Sequence, residues 1–100
     1  MIEHIVLFKF NEETTEEQKA EAARRLRHLK QELPHILDIQ AGQNFSTRGQ
    51  GYSMALTVRF PKKEDLAFYT PSKEHQAVVS YIKDIGMIDS LAMDFVIDED

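Results

Sequence analysis

Cysteine is absent from this sequence of 100 residues. Disulfide bonds, thiolate catalysis and thiolate metal sites are therefore excluded. The chain also lacks a basic block, since 12 Lys and Arg residues stand against 17 Asp and Glu residues and the net charge is −5. Nucleic acids and anionic membranes both attract clustered positive charge, so neither is an expected partner. Arg24, Arg25 and Arg27 lie close together, but the flanking Glu21 and Glu32 are typical of a solvated helix face.

Long apolar segments are missing as well. No segment approaches the ~20 apolar residues of a membrane span. The apolar start of the chain, MIEHIVLFKF, lacks the basic residues and the small-residue cleavage site of a signal peptide. These absences predict a protein with no membrane partner and, by default, a cytoplasmic location. The length predicts one domain, residues 1–100, with one core.

Helix and strand signals alternate along the chain. Thr15 and Gln18 form a capping box at the start of a helix. Pro34 ends this helix at Leu33, because proline disfavours helical geometry in the residue before it. Strands are predicted at residues 2–10, 36–45 (with Gly42 as a bulge), 52–60 and 91–97, and further helices at 62–69 and 72–83. The order β-α-β-β-α-β predicts a ferredoxin-like α+β fold, with helices on one face of a four-stranded antiparallel sheet.

The first strand is apolar on both of its faces. Val6 and Phe8 alternate with Ile5 and Leu7, so each face of the sheet needs a cover. The helices cover one face, and the remaining chain cannot cover the other. A second copy of the same sheet can do so, and a two-fold interface is the commonest arrangement. The sequence therefore predicts a homodimer that forms through the open sheet face.

Several short motifs follow one another in a characteristic order. They are His4-Ile5-Val6-Leu7-Phe8-Lys9-Phe10, Leu33-Pro34-x-Ile36, Gly42-x-Asn44 and Gly51-Tyr52, followed by Tyr69 and His75. In this order the chain resembles the stress-responsive A/B barrel domain family, which belongs to the dimeric α/β-barrel group. The resemblance covers nearly the whole chain, and it implies a homodimer with a central barrel made from two sheets.

The resemblance also implies candidate functional residues. Most family members have no assigned reaction, but one plant member is a polyketide cyclase that uses a tyrosine and a histidine in an aldol condensation. Tyr69 and His75 match that pair. His75 would take a proton next to a carbonyl and Tyr69 would stabilise the enolate. His4 would be an auxiliary polar contact, or alternatively a structural histidine bonded to backbone or water. The chain departs from the family pattern at Ser72-Lys73, which replaces His-Pro, and at Met54, which replaces a cavity histidine.

The cyclase holds its substrate in an apolar cavity between sheet and helices. The corresponding ligand-pocket residues here are Val6, Phe8, Leu26, Leu56 and Val58. Core and pocket are both apolar, so three alternatives stay open. The leading hypothesis is a small cytoplasmic homodimer of this family type that has an apolar cavity, open to a small apolar or carbonyl ligand, and no established reaction. The others are a weak cyclase or lyase and a purely structural dimer with a filled cavity. No cofactor is predicted, and the histidine spacing does not match a metal site.

Overall fold

The computed structural model describes residues 1–98, and these residues form four strands and three helices. All neighbouring strands pair antiparallel, in the spatial order β2-β3-β1-β4. The elements are β1 (Ile2–Phe10), α1 (Glu16–Glu32), β2 (Asp38–Gln43), β3 (Met54–Phe60), α2 (Lys63–Tyr69), α3 (Lys73–Asp84) and β4 (Met87–Val96). The predicted ferredoxin-like fold is confirmed, with the second helical segment divided into α2 and α3. Among residues 1–98, no helix combines the length and apolar composition that a membrane span requires.

The helix ends follow the predicted signals. The Thr15 side chain accepts from the backbone N–H of Gln18 at 3.1 Å, and the Gln18 side chain accepts from the backbone N–H of Thr15 at 2.9 Å. This capping box satisfies two N–H groups that would otherwise lack partners at the start of α1. At the other end, Leu33 has extended geometry immediately before Pro34. Ser72 caps α3 by accepting from the backbone N–H of His75.

Two strand predictions are wrong in detail. β2 pairs with β3 residue for residue through Gly42, so no bulge lies there. The register shift lies instead between Lys9 and Phe10, where β1 pairs with β4. β4 also begins at Met87 rather than at residue 91, because the polar residues Asp89 and Ser90 continue the pairing with β1.

The core lies between the helices and one face of the sheet. α1 packs over β2 and β3, and α3 packs against α1 and β4. Burial of these apolar side chains is the main force that stabilises such a fold. The largest fully buried side chains are Tyr69, Phe60, Leu26, Leu29, Met54, Leu56, Ile82 and Val58.

The opposite face of the sheet is uncovered among residues 1–98. Leu91, Met93 and Phe95 lie on it, because their β1 partners are Leu7, Ile5 and Glu3. These three β4 side chains are 46%, 65% and 51% exposed. The alternate β4 residues, such as Ala92, point to the helix side. β4 therefore presents an apolar row on the open face of the sheet, and its alternate side chains face the helices.

Candidate functional site

A cavity of about 210 Å³ lies on the helix side of the sheet, next to β1 and β4. Its apolar wall comes from both layers, with contributions from α1, α3 and three strands. The lining residues are His4, Val6, Phe8, Leu26, Leu56, Thr70, His75, Val79, Ile82, Met87, Ser90 and Ala92. The wall is thus mainly apolar, with four residues that carry polar side-chain atoms.

The predicted pocket residues divide between this cavity and the closed core. Val6, Phe8, Leu26 and Leu56 line the cavity. Val58 does not, because its side chain is fully buried in the core. Val79 and His75 of α3 also form part of the cavity wall, and Val79 was not among the predicted pocket residues.

His75 lies in the first turn of α3 on the cavity wall. Its Nδ1 atom is 2.8 Å from the backbone oxygen of Thr70. A carbonyl oxygen can only accept a hydrogen bond, so Nδ1 carries the proton and Nε2 keeps a free lone pair. Burial lowers the pKa of His75 from its usual value of 6.5; the Thr70 hydrogen bond opposes this shift, and nearby His4 adds to it. The ring is therefore a neutral acceptor at physiological pH.

Tyr69 lies at the end of α2 and packs against His75. The two ring centroids are 4.5 Å apart, and the His4 ring centroid is 6.0 Å from that of Tyr69. Tyr69 is 1% exposed and is not part of the cavity wall. Its hydroxyl has no hydrogen-bond partner among the described residues. Burial raises the pKa of Tyr69 well above its usual value, so the hydroxyl keeps its proton.

His4 lies on β1 opposite Asp94 of β4, and the two side chains interact directly. The Nδ1 atom of His4 makes a short hydrogen bond with Oδ1 of Asp94. His4 is 8% exposed, whereas Asp94 lies at the outer edge of the sheet. A carboxylate in this position fixes the ring orientation and the tautomer of the histidine. His4 is a residue that the sequence pattern predicts for this site, whereas Asp94 is not.

A family model described as the stress responsive A/B barrel domain matches residues 2–97. The chain belongs to the stress responsive A/B barrel domain family. The resemblance found in the sequence motifs is thereby confirmed, and residues 2–97 account for nearly all of the chain. No curated protein sequence matches the chain.

Solved structures share the fold of this stress responsive A/B barrel domain. A crystal structure of an Arabidopsis thaliana protein has a TM-score of 0.86 at 19% identity, covering 99% of this chain and 97% of that chain. A hydroxynitrile lyase from Passiflora edulis has a TM-score of 0.84 at 14% identity, covering 99% and 94%. A dimeric ferredoxin-like protein of unknown function from Thermobifida fusca has a TM-score of 0.83 at 22% identity, covering 96% and 90%. At these identities the likeness establishes the fold.

In this stress responsive A/B barrel domain, a residue of the first strand joins two residues from the α2–α3 region in one polar cluster. Tyr69, His75 and His4 come together through ring contacts, and Asp94 extends the cluster at the sheet edge. Two imidazole rings beside a protonated phenol can bind a polar group or move a proton. Within residues 1–98, no group of three or more His, Asp or Glu side chains is arranged to hold a metal ion.

Proposed function

We propose that this protein binds a small, mainly apolar molecule in the cavity between α1, α3 and the sheet, and that it does so as a homodimer. The 210 Å³ cavity, whose wall combines apolar side chains with His4 and His75, is the observation that carries the proposal. An apolar cavity of about 150 Å³ takes up benzene. Pockets for drug-sized ligands begin at about 300 Å³. The ligand is therefore about the size of one ring with a small substituent.

Two valine-to-phenylalanine variants test the cavity. Val79 lines it, whereas Val58 is fully buried in the core. Val79→Phe should fill the space with little loss of stability and should block uptake of toluene, observed through the methyl NMR signals of Ile82. Val58→Phe should overpack the core and cost about 1–3 kcal/mol in the free energy of unfolding. Equal destabilisation by both changes, with no toluene uptake by the unmodified protein, would favour the purely structural alternative.

The homodimer is supported by the open face of the sheet. Leu91, Met93 and Phe95 form a contiguous exposed apolar row, next to the half-buried Ile5 and Leu7. Soluble monomers rarely leave large contiguous apolar patches in water. The structural relative from Thermobifida fusca is described as dimeric. Sedimentation equilibrium at micromolar concentration should give the mass of two chains, and a single-chain mass would contradict the proposal.

A lyase acting on a small carbonyl compound is the second candidate function. It is favoured by the Tyr69 hydroxyl, which is buried and has no partner within the described chain. Such a group costs stability, and one that persists is typical of a functional site. A general base would be supplied by His75 and a proton donor to the developing oxyanion by Tyr69. The structural relative from Passiflora edulis is a hydroxynitrile lyase, which supports testing this class of reaction.

A substrate screen with two variants tests the lyase candidate. Small carbonyl compounds, including β-polyketides, would be incubated with the unmodified protein, His75→Ala and Tyr69→Phe. If a substrate is found, His75→Ala should lower turnover by about 10²–10⁴-fold, the usual effect of losing a general base. Tyr69→Phe should lower turnover and leave the fold intact. Turnover that survives His75→Ala would contradict this assignment.

A further inference from the structure

The tautomers of the two cavity histidines define what kind of polar group the cavity can hold. His75 uses Nδ1 to contact the Thr70 backbone oxygen, and His4 uses Nδ1 to contact Asp94. A carbonyl and a carboxylate both accept hydrogen bonds, so either ring carries its proton on Nδ1 when it is in the neutral form. The Nε2 atom of each ring is then an acceptor, and it has no hydrogen-bond partner within residues 1–98. Both side chains line the cavity.

None of the other polar side chains on the wall is restricted to donating a hydrogen bond. The Thr70 hydroxyl already donates to the Leu66 backbone oxygen at 3.2 Å, so it too is left as an acceptor. Ser90 is exposed, and its hydroxyl can either donate or accept. The Tyr69 hydroxyl is a donor, but this side chain is not part of the wall. The cavity therefore presents mainly acceptor atoms to a bound molecule.

We propose that the polar group of the bound molecule is a hydroxyl, which donates its proton to Nε2 of His75 or His4, rather than a carbonyl. A carbonyl oxygen would bring a lone pair against two acceptor nitrogens, whereas a hydroxyl satisfies one of them. Burial disfavours the charged form of the His75 ring, which keeps this nitrogen an acceptor. The inference rests on the proposed binding function and narrows its ligand class to small apolar alcohols or phenols.

A matched pair of probes tests this ligand class. Cyclohexanol and cyclohexanone have the same ring and differ in their polar group. Their dissociation constants would be measured from the methyl NMR signals of Val79 and Ile82, at about pH 8, where imidazoles are ordinarily neutral. Cyclohexanol should bind about tenfold more tightly, the difference expected for one buried hydrogen bond.

Two variants assign the preference to the histidines. In Asp94→Asn, the new amide can donate to Nδ1 of His4 and move the ring proton to Nε2, which makes that atom a donor. The dissociation constant of cyclohexanone divided by that of cyclohexanol should then fall. His75→Phe removes an acceptor and should lower this ratio too. Asp89→Asn is the matched control, since Asp89 lies on the same strand, on the open face, and accepts from Tyr52. Its ratio should equal that of the unmodified protein.

The outcomes separate this inference from the binding function itself. Cyclohexanone that binds as tightly as cyclohexanol would overturn the hydroxyl inference and leave the cavity as a binding site. A preference for cyclohexanol that is unchanged in both Asp94→Asn and His75→Phe would also overturn it, because the histidines would not be its cause. If neither probe shifts the methyl signals and toluene does not either, the proposed binding function fails and this inference fails with it.

Discussion

Replacing Met93 with aspartate is the most direct test of the open sheet face. Met93 is 65% exposed in a single chain, so a charge at this position stays in water and should not unfold the monomer. In a dimer closed over this face, the same carboxylate is buried without a partner, at a cost of about 3–5 kcal/mol. A two-fold axis places the substitution in the interface twice, which raises the cost to roughly 6–10 kcal/mol. At about 1.4 kcal/mol for each factor of ten, dimer affinity should fall by at least ~10⁴-fold.

Sedimentation equilibrium at micromolar concentration measures this loss. The unmodified protein should sediment as two chains and Met93→Asp as one, and circular dichroism should show that the variant keeps its secondary structure. Phe68→Asp is the matched control, because Phe68 is 59% exposed on α2, on the helix side of the sheet. It should remain dimeric. A Met93→Asp protein that still sediments as two chains would refute the placement of the interface on this face.

Two further predictions concern the polar cluster. Tyr69→Phe removes a buried hydroxyl that has no hydrogen-bond partner in the described chain. The free energy of unfolding in urea should therefore be unchanged or about 1 kcal/mol higher. A clear loss of stability would mean that the hydroxyl does have a hydrogen-bond partner. The pKa of His75 is lowered by burial, so its unfolded form binds a proton more readily than its folded form. Stability should therefore fall as the pH drops below 6.5, the usual histidine value, and His75→Gln should weaken this dependence. An unchanged pH profile in that variant would contradict the burial of the His75 ring.

The helix ends were predictable from the sequence, because their signals depend only on residues that are neighbours in the chain. The capping box at Thr15 and the stop at Pro34 bounded α1 correctly, because both depend on neighbouring residues. The start of β4 was not predictable in the same way. Asp89 and Ser90 are poor strand formers in isolation, and their strand geometry comes from pairing with β1. The missing bulge at Gly42 has a similar cause, since pairing with β3 continues on both sides of the glycine.

The candidate site was predictable in part. Tyr69 and His75 are close in sequence, and the resemblance of the chain to its family predicts them as a pair. His4 and Asp94 are 90 positions apart, and the register between β1 and β4 is what makes them partners. A usable signal was present, because Asp94 lies two residues from Ala92, on the helix-facing side of β4. A carboxylate at such a position, on a strand adjacent to a histidine, is a reason to expect a pair.

β4 connects the two surfaces on which the proposed function depends. It is an edge strand, and β1 is its one neighbour among the described strands. Leu91 and Met93 point to the open face, while Ala92 and Asp94 point to the cavity side. A second copy that covers the open face would therefore also hold the strand that orients His4 through Asp94. Such a double use would account for the presence of polar and apolar residues on both faces of β4.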